Sequence, residues 1–202
     1  MPLELVTPPA AEPVALSDAK LHLKVDTTDD DTLITSLIVA ARARAEWHTG
    51  RAFITQSWRM WLDCWPGAQA DDGLPPALSA TPPSPIAIPL PPLASVASIT
   101  TYAMDDSATV MDISQYQVDT ASSPGRVALK AGVTPPVNLR ALNAIAIAFT
   151  AGYGASASNV PDAIKRAILM IVADLYANRG DAGIETSAAA LATLAPYRIL
   201  NL

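Results

Sequence analysis

The chain has 202 residues, half of them apolar, and a formal net charge of −6. That length allows one sizeable core, or a core with a small subdomain, and the many Ala residues mean a core built largely from small side chains. An acidic balance argues against sequence-independent nucleic-acid binding, which rests on Lys and Arg neutralising phosphates; it suits a surface past which DNA slides without sticking. The single cysteine, Cys64, excludes an internal disulfide framework and a Cys-based zinc cluster, and makes a reduced cytoplasm the default compartment. The opening MPLELVTPPAAEP lacks the basic region and apolar core of a signal peptide, and charge breaks every apolar stretch before the roughly 18 residues of a membrane span.

Residues 1–15 are Pro-rich and read as extended. Ser17 is a good N-cap for a two-turn helix ending at Lys24. Asp29, Asp30 and Asp31 then crowd the start of a longer helix, where negative charge meets the positive end of the dipole. Leu33, Ile34, Leu37, Ile38, Ala41 and Ala45 form its apolar stripe, with Arg42, Arg44 and Glu46 mostly on the other faces and Gly50 as the stop. From 53 to 65 the period changes to two: Trp58, Met60, Leu62 and Cys64 fall on one face, and Arg59, Trp61, Asp63 and Trp65 on the other. A strand face bearing two Trp is either packed or at an interface.

Residues 66–92 are a Pro-rich excursion, an edge strand or polyproline-like segment, in which Ile86, Ile88 and Leu90 alternate as if docked on a sheet. Strand signals follow at 95–104, 115–119, 126–130 and 144–150, with a turn at Asp105–Ser107. A second long helix opens near Asn159, its expected cap, with Pro161 in the first turn. Its stripe is Ile164, Ile168, Ile171, Val172 and Leu175, and Gly180 ends it. The two long helices are expected to pack on each other. An Ala-rich helix over 186–194 is ended by Pro196, leaving PYRILNL as a mobile or partner-docked tail. The fold class is therefore α+β: a helical bundle with an inserted, mostly antiparallel β region.

No arrangement of residues points to catalysis. His22 and His48 are in no metal-ligand spacing, and Cys64 has no His nearby in sequence. The triple Asp lacks the spaced ligands, central Gly and terminal Glu of a calcium loop. AGYGAS has no phosphate-loop Lys and reads as a turn leaving a strand. Trp58, Trp61 and Trp65 can stack bases only if cations are interleaved with them, and Arg59 is the one cation there, so core or interface packing is preferred. No catalytic residue, metal ligand or cofactor is assigned.

Nine short elements, in order, carry a resemblance. Ser17, Ala19, Lys20, His22, Leu23 and Val25 form the first, and Asp29 to Asp31 the acidic turn. Ala40, Ala41, Arg42, Glu46, Thr49, Gly50 and Arg51 form the end of the long helix, followed by the strand with Gln56 and Trp58. Leu90 to Ile99, then Tyr116, Val118 and Asp119, then Phe149 to Gly154 come next. Val160 to Leu169, running on to Leu175–Arg179, and finally Leu194, Tyr197 and Arg198 complete the set. This pattern resembles the head–tail connector (adaptor) proteins of tailed phages and gene transfer agents.

The resemblance implies a non-enzymatic structural protein of the virion neck, assembled in the bacterial cytoplasm. It implies a ring of identical copies, a dodecamer, below the portal, joining the portal to a stopper or tail-completion protein and extending the DNA channel without sequence-specific binding or a membrane. It implies a single connector domain over 1–202, with helical parts at 17–50 and 160–195, an inserted β part at 53–150 and a docking tail at 196–202. Pro196, Tyr197, Arg198, Ile199 and Leu200 are then the portal-docking residues, and Arg42, Glu46, Arg51, Trp61 and Trp65 the candidates for contacts between ring neighbours. The alternatives are another neck protein, such as a stopper or tail terminator, or a small ligand-binding or hydrolase domain around Asp63, His48 and Cys64.

Overall fold

The computed structural model describes residues 1–67, 83–178 and 186–199. The expected Gly180 stop, Arg179, Leu200, Leu202 and most of the Pro-rich excursion lie outside the described residues. The fold is α+β, with four helices and two antiparallel sheets among the described residues. The chain forms two compact units, each discontinuous in sequence: Met1–Pro8 with Gln56–Ala151, and Pro9–Thr55 with Gly152–Leu202.

The sheet unit contains β1 (Leu3–Thr7), β2 (Gln56–Leu62), β3 (Ile86–Ile88), β4 (Leu93–Tyr102), β5 (Ala108–Val110), β6 (Tyr116–Asp119), β7 (Gly125–Leu129) and β8 (Ile145–Ala151). One sheet has the order β1-β2-β8-β4-β5 and the other β3-β7-β6. The Pro-rich opening is thus the edge strand β1, paired with β2. The alternation of Ile86 and Ile88 is that of β3, also an edge strand, where flanking prolines remove no ladder bond. In the larger sheet, Met60, Ile147 and Ile99 pair across three strands and are fully buried. The Tyr116–Asp119 motif makes the β6–β7 turn: Asp119 accepts from the amides of Ala121 and Ser122 and from Arg126.

The helical unit contains α1 (Leu16–Leu23), α2 (Asp31–Thr49), α3 (Asp162–Ala177) and α4 (Ala188–Leu194). Ile34, Leu37, Ile38, Ala41 and Ala45 of α2 share a core with Ile164, Ala167, Ile168, Ile171 and Val172 of α3. Each fully buried Ile or Leu contributes roughly 2 kcal/mol of transfer free energy. Neither expected cap is used. Ala15, without a side-chain bond, stands at the N-cap of α1, and Ser17 lies inside the helix. Pro161 caps α3, while Asn159 closes a 3₁₀ turn by accepting from Ser156. Gly50 does cap α2 in the left-handed conformation, with φ of 69°. The acidic turn is structural: Asp30 accepts from the Tyr176 hydroxyl at 2.5 Å and Asp31 from Lys20 at 2.6 Å, tying α1 and α3 to the start of α2. No helix among the described residues is long and apolar enough to cross a membrane.

Candidate functional site

The C-terminal end of α2 is a corner built by Thr49, Gly50 and Arg51. Thr49 is buried and its hydroxyl donates to the Ala45 carbonyl at 2.8 Å. The Gly50 amide closes the helix on Glu46, also at 2.8 Å. After Leu194 a 3₁₀ turn, Ala195–Tyr197, redirects the chain toward this corner. The Ile199 amide donates to the Thr49 carbonyl at 2.9 Å, and Arg51 Nε donates to the Tyr197 carbonyl at 2.5 Å. Tyr153 and Tyr197 pack against the helical core beside it. Burial pushes the Tyr153 hydroxyl pKa up, with Arg51 beside it pulling the other way. Pro196 ends the Ala-rich helix as expected, but Pro196–Ile199 is not a free tail in this protomer. It is a strap laid on the end of α2. Leu200 lies outside the described residues.

Two turns earlier on α2, Arg42 donates to Glu46 at 2.6 Å and to Glu12 at 2.8 Å. The second oxygen of Glu46 accepts from the Phe53 amide at 2.9 Å. The Arg42 and Glu46 side chains are only 12% and 14% exposed. Burial works against the Arg42 charge, but Glu46 and Glu12 outweigh it and hold its pKa above the ordinary value. These two ring-contact candidates are thus engaged inside their own protomer, joining the segment before α1 to α2 and to the chain beyond it.

The open face of the larger sheet carries a row of stacked groups. Trp61 and Tyr102 have ring centroids 5.9 Å apart. Arg59 lies over Trp61 at 5.8 Å and Arg140 over Tyr102 at 4.2 Å. Trp61 pairs across the sheet with Ala146, whose small side chain leaves room for the indole. Arg59 also pairs with Glu4, and Arg140 with Asp106. No local pattern points to Tyr102 or Arg140, which stand 41 and 79 positions from Trp61; Tyr102 reaches Trp61 through strand pairing, and Arg140 reaches Tyr102 from the loop before β8.

Trp65 is not on this face. The strand ends at Leu62, the alternation stops with it, and Trp65 is 0% exposed with its indole N–H donating to the Ser84 carbonyl. Trp47 is the opposite case: it is 85% exposed, on the solvent side of α2. The groups considered for a hydrolase are divided between the two units. Asp63 and Cys64 belong to the sheet unit, where Asp63 accepts from the Asn143 amide, while His48 belongs to the helical unit. Among the described residues, no group of three or more His, Cys, Asp or Glu side chains is arranged to hold a metal ion.

The sequence matches the family model of the Phage gp6-like head-tail connector protein over residues 13–123. This chain belongs to that family. The match runs from the segment before α1 through the β6–β7 turn, so it includes the corner, the Arg42–Glu46 pair and most of the sheet unit. Connector-family membership makes this a structural protein rather than an enzyme. No functionally curated protein matches the sequence.

The connector fold extends beyond the matched residues. A chain in the neck of an empty gene transfer agent particle, computed with C6 symmetry, is similar with a TM-score of 0.76 and 22% identity. A chain in the virion of a native gene transfer agent particle gives 0.77 and 21%. One in the neck of a native particle computed with C12 symmetry gives 0.74 and 24%. In all three the alignment covers 100% of this chain and 97% of the other.

Proposed function

We propose that this connector stands in the neck of a phage or phage-like particle, as a ring of identical copies between the portal and a stopper or tail-completion protein. The observation that carries the proposal is the joint one: family membership, together with a full-length fold likeness to chains of symmetric neck assemblies. A dodecamer suits the C12 case. Copies in such a ring make heterologous contacts that close by rotation. DNA passes through the channel, and the net charge of −6 keeps phosphates from binding to its wall.

Within this proposal the candidate residues divide by accessibility. Arg42, Glu46 and Trp65 hold the protomer together. Trp61, with Arg59, Tyr102 and Arg140, offers a rigid aromatic and guanidinium surface of the composition that dominates interface hot spots. We assign this row, with the exposed Trp47, to contacts between neighbours. The portal-docking element is the segment Pro196, Tyr197, Arg198, Ile199 and Leu200. Docking moves that segment onto the portal, and Tyr197, Ile199 and Leu200 supply the apolar area that holds it there.

The test is affinity capture of the tagged chain from producing cells beside a version lacking residues 196–202, read by mass spectrometry. Portal recovered with the full chain and lost with the truncation is the expected result. Portal recovered equally with both removes the docking assignment. Recovery of tail or stopper proteins without portal moves the chain lower in the neck, and recovery of no virion protein removes the proposal.

A further inference from the structure

We infer that the Thr49–Gly50–Arg51 corner is a latch that stows the docking segment in the free protomer and has to be undone for docking. The inference rests on the docking reading above and adds a step to it.

Three contacts make the latch. The Ile199 amide is bonded to the Thr49 carbonyl, and the Tyr197 carbonyl accepts from Arg51 Nε. A Cβ placed on Gly50 would lie 3.7 Å from Ile199 Cβ, so the two backbones run side by side. The bonded groups are main-chain groups of the segment itself: an N–H, which serves one partner at a time, and a C=O already held by a charged donor. Tyr197 meanwhile lies against the helical core, so one of the segment's apolar anchors is covered in the free state. A partner that binds these groups competes with the chain's own corner. The two motifs concerned, Thr49–Gly50–Arg51 and Leu194–Tyr197–Arg198, are far apart in sequence, and the strap brings them together. Arg51 is therefore a holding residue for the free protomer rather than a contact between ring neighbours.

Stowing lowers apparent docking affinity by the fraction of time the segment is free. Arg51→Ala removes one of the two backbone bonds. It is expected to speed hydrogen exchange at the Ile199 amide and to tighten binding to purified portal oligomer by about tenfold. The second test locks the latch instead of loosening it. The Cβ separation at Gly50 and Ile199 falls within disulfide range, so Gly50→Cys with Ile199→Cys in a Cys64→Ser background is expected to form a bridge despite the strain of a side chain at φ of 69°, and the reduced form of the same variant is the control for that strain. The oxidised form is expected to lose portal binding and the reduced form to regain it.

Each outcome separates the two ideas. Arg51→Ala binding equal to or weaker than the parent, or an oxidised form that docks as well as its reduced form, overturns the latch. If the 196–202 truncation still abolishes binding in that case, the docking reading stands without a latch. A truncation that binds as the full chain does overturns the docking reading, and the latch with it.

Discussion

The helical unit and the sheet unit use their polar and aromatic side chains in opposite ways. In the helical unit the charges turn inward and tie chain segments together: Arg42 to Glu12 and Glu46, Lys20 to Asp31, Tyr176 to Asp30, Arg51 to the strap. In the sheet unit the aromatic and guanidinium groups line an open face, and Leu3, Leu5, Met104, Ile113 and Leu142 are exposed nearby in sequence or at strand ends. Apart from the exposed Trp47, the first unit is arranged to keep its own shape. The second has surface that a protomer alone leaves uncovered. An ion pair in this protein therefore says little about assembly, and an exposed aromatic says more.

Substitutions sharpen the contrast. The largest effect is expected from Gly152→Ala. Gly152 has φ of 130°, and a Cβ there would lie 2.6 Å from the Ile54 backbone. Neither a side chain nor a strained backbone fits, so a loss of about 4 kcal/mol is expected in chemical denaturation. Arg42→Ala leaves two partly buried carboxylates without their cation and should cost about 3 kcal/mol, read in the same way. Ring formation by that variant, wherever it still folds, should be unchanged in native mass spectrometry. A ring that falls apart while the monomer stays stable would put Arg42 back among the neighbour contacts.

Trp61→Ala is the converse case. It should cost the protomer about 1 kcal/mol, since the indole is only half-buried, and should dissociate the proposed ring. Equal assembly with and without Trp61 would break the comparison. Tyr176→Phe removes a hydroxyl donated to a carboxylate and should cost about 1.5 kcal/mol, with no effect on assembly.

The smallest effect concerns acid. The Ser122 hydroxyl and the Arg126 guanidinium hold the Asp119 carboxyl well below its usual range. A folded pKa below the unfolded one means that the group stabilises above about pH 4 and that this contribution is lost as pH falls toward the folded pKa. Asp119→Asn should therefore lose that contribution at neutral pH, seen as faster hydrogen exchange in the β6–β7 turn, and should differ least from the parent at the acid end, where the parent has lost it too.

Periodicity was enough for the elements that bury one continuous face. The stripe from Ile34 to Ala45 and that from Ile164 to Val172 are helices whose apolar positions coincide with the shared core. Strands β2, β4, β6, β7 and β8 lie where alternation and turn residues put them. Capping is less legible because a side chain that can cap is not obliged to: Ser17 and Asn159 each lie two positions from the N-cap, yet the backbone takes Ala15 and Pro161. Alternation was carried too far at Trp65, since period two holds only while the strand continues. The pairings that matter most for the site were out of reach. Arg42 meets Glu12 across 30 residues and Arg51 meets Tyr197 across 146, and no local pattern encodes either. The three-residue strand β5 is too short for periodicity to register, and neighbouring prolines hide β1.

The order of segments also has a consequence for how this chain is made. Neither unit is contiguous, for the helical one needs 9–55 and 152–202 and the sheet one needs 1–8 and 56–151. During synthesis the apolar side of α2 leaves the ribosome early, and its partner α3 follows more than a hundred residues later. Through that interval Ile34, Leu37 and Ile38 are without their native cover. The sheet unit is the first that can close, once Ala151 has emerged, and the strap over the end of α2 is the last piece of the described chain to arrive.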